Sequence, residues 1–352
     1  MGFSMPAEWA PHAGTWTAWP HDDEQWLGYL EPVRKEFAVF LNTLARFEPV
    51  NLLLADQESL SDAKSRLSGT LTFHLVPHND LWLRDSGPIF VTRKFPVPLE
   101  GREESTAAEA ALVNWEFNGW GKKYPAELDN QIPTHLARIL GTGTFGAGVV
   151  MEGGSLEVNG RGVALTTKQC LLSPMRNPEL KPGEIELYLR EYLGIEKLLW
   201  LGEGLEGDHT DGHIDTITRF VDEKTVVTSV CQDPADANYA PLRENLEALR
   251  GFTDLDDRPF KIATLPLPKN RLYLDGVRLA PTYANFYIAN GVVIVPIYGD
   301  PNDQPALDTL KPLFPGRKVI GLMARNLITG GGAFHCVTQQ QPAGRIWRAA
   351  NV

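Results

Sequence analysis

The sequence predicts an α/β fold assembled from roughly five units of about 70 residues each, 352 residues in all. Three observations carry this expectation. Amphipathic helical stretches alternate with short apolar runs from one end of the chain to the other. Three segments carry turn residues between β-rich flanks. Polar or Gly-rich starting points precede strand pairs at Trp16, Asp85, Glu152, His213 and Asn285, at intervals of 69, 67, 61 and 72 residues. A regular period of strand, strand, helix and strand points to a radial or stacked architecture.

Each element has its own reason. Val33, Phe37, Phe40, Leu41 and Leu44 recur at helical spacing, so 31–47 is read as an amphipathic helix. Segments 50–54, 71–76, 197–201 and 318–323 are short apolar runs bounded by breakers, the pattern of buried strands. Further helices are expected near 57–67, 180–193, 238–250 and 303–313. Hairpins are expected over 155–167, 214–230 and 285–297, turning at Asn159-Gly160, Asp222-Glu223-Lys224 and Asn290-Gly291. The longest predicted loops are 94–110 and 264–284. Neither reads as a linker, so residues 1–352 are expected to form a single catalytic domain.

Composition narrows the function. With 43% hydrophobic and 22% charged residues, intrinsic disorder is excluded. A formal net charge of −11 argues against a nucleic-acid partner and is compatible with a cationic small substrate. Cys170, Cys231 and Cys336 are sparse and odd in number, so they are no disulfide framework. Residues 1–10 lack a basic and then apolar leader pattern, and no apolar run approaches the ~18 residues of a membrane span. A soluble cytoplasmic protein is the resulting expectation.

Four segments carry chemistry. Cys336 follows Gly330-Gly331-Gly332 and reads either as a nucleophile or as a buried structural thiol. Cys170 and Cys231 read as structural. Within Gly207–Asp215, His213 and Asp215 are two apart, so on a strand both would face one side and suit acid–base work. A metal site on His209 and His213, or a solvated loop, are the rival readings there. Asn79–Pro88 combines Trp82, Arg84 and Asp85, either a receptor for a planar cation or a surface ion pair. Glu152 precedes Gly153-Gly154, as a site carboxylate or an exposed turn residue. Aromatic, turn-rich segments at 9–20 and 118–121 are core lids or pocket walls.

Read together, seven motifs resemble one family. They are Glu8-Trp9-Ala10-Pro11-His12 with Trp16 and Trp19-Pro20; Trp82-Leu83-Arg84-Asp85-Ser86-Gly87-Pro88; Phe117-Asn118-Gly119-Trp120-Gly121; Glu152-Gly153-Gly154-Ser155; Thr210-Asp211-Gly212-His213-Ile214-Asp215; Asn285 through Gly291; and Gly330 through His335-Cys336 to Pro342. In this order, from residue 8 to residue 342, the chain resembles the agmatine deiminase and bacterial peptidylarginine deiminase group of the guanidine-modifying (pentein) superfamily.

The resemblance implies a five-bladed α/β propeller. It implies Cys336 as the nucleophile on the guanidinium carbon, His213 as general acid and base, and Glu152 orienting His213. Asp85 and Asp215 would hold the guanidinium nitrogens, and Trp82 would flank the substrate. A small guanidine such as agmatine is the implied substrate, with no metal, no organic cofactor and no membrane or nucleic-acid partner; homo-oligomers are common in the family. The alternatives are deimination of free or peptidyl arginine, an inactive guanidine-binding protein, and a metal-dependent hydrolase on His209, His213 and Asp215. Asp22, Asp23 and Asp208 are candidates for the distal amine of agmatine. The chain departs from the family pattern at Ala333 and Phe334, where Asn and an aliphatic residue are usual, at Asp211 and at Lys122-Lys123.

Overall fold

The computed structural model describes residues 2–97 and 105–348. One arrangement recurs through them. Two strands pair antiparallel, a helix crosses over, and a third strand joins parallel to the second. The helix is a geometric need, because a tight turn cannot bring the chain back in the same direction. Strands Glu157–Val158, Val163–Thr167 and Lys197–Leu201 show it, with helix Pro182–Leu193 as the crossover. So do Thr218–Asp222, Thr225–Val230 and Lys261–Pro266 around helix Tyr239–Gly251. Tyr287–Ala289, Val292–Ile297 and Lys318–Met323 repeat it around helix Asp303–Leu310. Ile89–Val97, Ser105–Glu116 and Thr144–Val150 do the same around helix Ile132–Leu140.

The remaining sheet corrects the predicted phase of the first unit. Trp16 does not precede a strand pair; it lies inside strand His12–Ala18, the second strand of its sheet. The first strand is Gln339–Pro342, brought from the other end of the chain and paired antiparallel with His12–Ala18. Strand Val50–Leu54 follows parallel, then Leu71–Leu75. The C-terminal strand thereby covers an edge that His12–Ala18 would otherwise expose. It also makes Cys336, not Trp16, the residue just ahead of this sheet.

Burial follows the pairing. Strands Val163–Thr167 and Val292–Ile297 have neighbours on both edges and are buried along almost their whole length. Helix Leu30–Leu44 buries Val33, Phe37, Phe40, Leu41 and Leu44, the face its periodicity predicts. Phe40 stacks on Phe334 with ring centroids 4.5 Å apart and planes 3° from parallel. Each such ring contributes about 1.5–3 kcal/mol by burial. The contact ties the helix to the segment carrying Cys336.

Three predicted stretches differ. The strand Ile89–Val97 and its partner Ser105–Glu116 run into the predicted loop 94–110, whose residues 98–104 lie outside the described residues. Pro96 is compatible with this because its strand forms the sheet edge. The predicted loop 264–284 contains the end of Lys261–Pro266 and a small hairpin, Tyr273–Leu274 with Val277–Arg278. Residues Ile214–Thr216 form a 3-10 turn instead of strand, held by Thr216 donating to the His213 carbonyl. No helix among the described residues is long and apolar enough to cross a membrane.

Candidate active site

The site forms at the starts of the repeated units. Asp85 lies in the one-turn helix Leu83–Ser86 ahead of Ile89–Val97. Glu152 caps the 3-10 turn Gly153–Ser155 ahead of Glu157–Val158. His213 and Asp215 sit on the turn ahead of Thr218–Asp222. Asn285 precedes Tyr287–Ala289, and Cys336 precedes Gln339–Pro342. These five places meet. His213 Nδ1 is 3.7 Å from Asp85 Oδ1, and His213 Nε2 is 3.8 Å from Glu152 Oε2. Cys336 Sγ lies 3.5 Å from Asp215 Oδ2 and 3.1 Å from Asn285 Nδ2. Gly154 shows how tight the convergence is. A Cβ there would stand 2.6 Å from His213 Nδ1, 2.8 Å from Asp85 Oδ1 and 3.1 Å from Asp215 Oδ2, so only glycine fits.

The predicted set is thus brought together, including Trp82, whose ring lies beside Gly332 and Cys336. All six residues are buried. Both ring nitrogens of His213 and Asp215 Oδ1 have no hydrogen-bond partner. Buried polar groups are costly unless satisfied; His213 Nε2 faces the Glu152 carboxylate, which leaves Nδ1, on the Asp85 side, and Asp215 Oδ1 for a polar ligand.

Charge is divided unevenly. Burial would depress the His213 imidazole, but Asp85, Cys170 and Glu152 around it raise its pKa well above the usual histidine range. Burial raises Glu152, yet His213 and Arg176 bring it below the usual carboxylate value. Burial pushes Asp85 up to about 6, against the pull of His213 and with the repulsion of Asp215. Asp215 is opposed by the same burial but is held low by His335, His213 and Arg219. Burial, then Asp215 and Asp85, push the Cys336 thiol well above its ordinary value; Asn285 and the Ala333 backbone offset part of this.

A cavity of about 200 Å³ reaches the site. Trp26, Trp82, Trp120, Tyr124 and the Gly330–Gly332 backbone form its walls, and Asp85 and Cys336 lie at its inner end. His213, Glu152 and Asp215 are packed behind them and do not line it. The predicted distal-amine candidates Asp22, Asp23 and Asp208 do not line it either. Asp22 spends its carboxylate on the backbone of Glu24 and Gln25, and Asp208 on Thr210, His213 and Thr216. The lining carboxylates are Asp80 and Asp85.

The metal grouping read from sequence also changes. His209 lies at the cavity wall, bonded to Tyr124, while His213 is buried beneath. Among the described residues, the His, Cys and carboxylate groups close enough to share an ion are Glu152, Cys170 and His213, within 4.8 Å of one another. The buried Arg176 guanidinium, 2.9 Å from Glu152, opposes a cation there. Cys170, read as structural, is a buried free thiol beside the site, its Sγ 3.7 Å from Glu152 Oε2.

Several partners were missed by sequence reasoning. Asn285 accepts from the backbone N–H groups of Ala333, His335 and Cys336 at 3.2–3.3 Å while donating to Cys336 Sγ. His335 has Nδ1 2.6 Å from Asp215 and Nε2 2.6 Å from Glu8. Glu8 in turn pairs with Arg219, and Arg219 with Glu157. Trp120 donates to Asp85 from a left-handed backbone conformation, φ 53°. Each stands in a quoted motif except Arg176, Arg219 and Glu157, but their pairings span up to 327 residues of sequence and carry no local signal. The departures also find places. Phe334 stacks on Phe40, Ala333 leaves Cys336 to Asn285, and Asp211 pairs with Arg176 and Lys123.

Comparison with known proteins decides the family. The model of the Porphyromonas-type peptidyl-arginine deiminase family matches residues 4–342. The chain belongs to that family. A family relative provisionally named agmatine deiminase, from Legionella pneumophila strain Paris, is 39% identical and is matched over 97% of this chain and 96% of its own. The structure of an agmatine deiminase of Enterococcus faecalis, described as catalysing its reaction, superposes with a TM-score of 0.88 at 32% identity, covering 97% of this chain and 96% of that one. A cysteine-to-serine variant of a C. jejuni agmatine deiminase with substrate bound gives 0.87 at 32% identity over 98% and 97%. The deiminase family's guanidine-modifying fold is therefore the fold of this chain.

Proposed function

We propose that this chain hydrolyses agmatine to N-carbamoylputrescine and ammonia, in the cytoplasm, as a step of polyamine synthesis. The observation that carries the reading is one meeting point. Cys336 and Asp85 stand at the inner end of a cavity that a small guanidine can enter, with Asp215 and His213 packed directly against them from behind.

The proposed roles follow from charge. Asp85 and Asp215 accept hydrogen bonds from the planar guanidinium and fix it beside Cys336. Before substrate binds, those same carboxylates oppose the Cys336 thiolate. A bound cation neutralises them, so the thiol ionises as substrate enters, releasing its proton to solvent. Cys336 Sγ then forms a bond to the guanidinium carbon. His213, held cationic by its neighbours, gives its proton to the departing nitrogen, which leaves as ammonia. A thiouronium remains on Cys336. Neutral His213 takes a proton from water, the resulting hydroxide adds to the same carbon, and the C–S bond breaks to release the ureido product and the thiolate. Glu152 orients His213, and Trp82 packs against the substrate.

Deimination of free arginine is the second reading. It needs a cation to receive the α-carboxylate, and no Arg or Lys is among the cavity-lining residues. The test is ureido-product formation from agmatine, free arginine and a blocked peptidyl-arginine, with wild type and Cys336→Ala side by side. The expected result is turnover of agmatine alone, lost by a factor of about 10⁴ or more in Cys336→Ala. Preference for an arginine substrate would keep the chemistry and overturn the named substrate.

A further inference from the structure

Asp80 is a buried carboxylate on the cavity wall with a role not yet accounted for. Its three hydrogen-bond donors are neutral. Oδ2 accepts from Trp82 Nε1 and from Gln25 Nε2, both at 2.6 Å, and Oδ1 accepts from the Leu81 N–H at 2.8 Å. A carboxylate offers about four acceptor positions, so capacity remains. Among the described residues no cationic side chain pairs with it. Its charged neighbours are of its own sign: Asp22 repels it, and it repels Asp129. Burial accordingly pushes its carboxyl up to about 7, opposed only by Leu81 and Trp82. The cost of such a buried carboxylate is relieved by a cation.

Its place along the cavity sets what that cation is. The Trp82 indole connects Asp80 to the reacting end. Its Nε1 touches Asp80, and its six-membered ring abuts Gly332, where a Cβ would lie 2.7 Å from Trp82 Cζ3 and 3.1 Å from Cys336 Sγ. Asp80 and the Cys336 sulfur thus lie against the two ends of one indole. A four-carbon chain between a guanidinium and an amine spans about 6 Å at ordinary bond lengths. We propose that Asp80 receives the distal ammonium of the substrate, so that the chain selects guanidines with a cationic tail of about four carbons. This rests on the deiminase reading and deepens it.

The experiment compares agmatine with n-butylguanidine, which lacks the amine. In wild type, kcat/KM is expected to favour agmatine by about 30–100-fold. Asp80→Asn keeps an acceptor for Trp82. It should lower agmatine to near the butylguanidine value, chiefly through KM, and leave butylguanidine within about 3-fold. An equal fall for both ligands would reduce Asp80 to a support for Trp82 and overturn the proposal, as would no fall for either. If Asp80→Asn does not fold, wild type alone decides by its preference among agmatine, 4-hydroxybutylguanidine and n-butylguanidine, and equal rates overturn it. Calorimetric Kd values on Cys336→Ala separate the two readings. Tight agmatine binding without wild-type turnover breaks the deiminase reading and still tests Asp80 through the Kd ratio.

Discussion

Asp85 and Asp215 both flank Gly154, are both buried, and shift in opposite directions, though only Asp85 lines the cavity. Asp85 takes neutral hydrogen bonds from Trp120 Nε1 at 2.9 Å and the Gly154 N–H at 2.8 Å, and burial pushes it up to about 6. Asp215 is 2.6 Å from His335 and feels His213 and Arg219 behind it, which hold it low despite the same burial. Residue type and depth are shared, so the next layer decides. One corner is braced by a buried run of hydrogen bonds and ion pairs, Asp215–His335–Glu8–Arg219–Glu157, and its carboxyl is held low. The other has only neutral hydrogen-bond donors, and a bound cation there would favour its charged form further.

This contrast can be broken from its strongest side first. Asp215→Asn removes the carboxylate that is held low, the proposed partner of the guanidinium, and should cut kcat/KM by about 10³-fold or more. Asp85→Asn should cost less, about 10²-fold, because the amide keeps an acceptor for the neutral donors Trp120 Nε1 and the Gly154 N–H, whereas Asp215 is paired with His335. Steady-state kinetics on both variants would reverse the argument if Asp85→Asn were the more damaging.

Loosening the brace comes next. His335→Ala removes the largest influence holding Asp215 low after burial, so the carboxyl must rise. The acid limb of kcat/KM should then move to higher pH, with a loss of about 10–100-fold at neutral pH. An unmoved acid limb would show that His335 serves packing alone.

Asn285→Ala tests the thiol between the two corners. It deletes the donor that lowers the Cys336 pKa and the acceptor for three backbone N–H groups. The expected loss in kcat is about 10–30-fold, with KM changed less. The pH profile of alkylation at Cys336 should move to the alkaline side, which a merely structural residue would not cause.

The smallest effect is on stability. Asp129, beneath Asp80, has a carboxyl pushed up to about 7 by burial and by Asp80. A raised carboxyl stabilises the fold below its unfolded pKa, and that contribution is lost as pH rises through about 7. Asp129→Asn should therefore leave Tm little changed at pH 4, close to the unfolded-state pKa. At pH 8 it should raise stability by on the order of 1 kcal/mol, about 2–3 °C in Tm. A drop at both pH values would show that the backbone N–H groups of Asn79 and Asp80 need the charge.

Much of this was legible in sequence because it depends on local pattern. Periodicity placed strand Val50–Leu54 at its observed bounds and helix Leu30–Leu44 within one residue at its start and three at its end, and the period of about 70 placed four of the five predicted unit starts. The misplaced one, at Trp16, required knowing that residues 339–342 return to pair with residues 12–16. Helix Ile132–Leu140 and strand Thr144–Val150 went unread because Gly146 and Gly148 dilute the strand signal that would have framed them.

The sequence by itself determined which groups are available: a cysteine after three glycines, a histidine two residues from an aspartate, a carboxylate before Gly153-Gly154, and the order in which they occur. Tertiary structure alone decided what those groups are worth. Which acid lines the cavity, which carboxylate is braced and which is free, and why Cys336 resists ionisation before substrate binds all depend on charges from distant segments. Those charges act across a few ångströms of buried, water-poor space, where electrostatics are strong and sequence separation does not count.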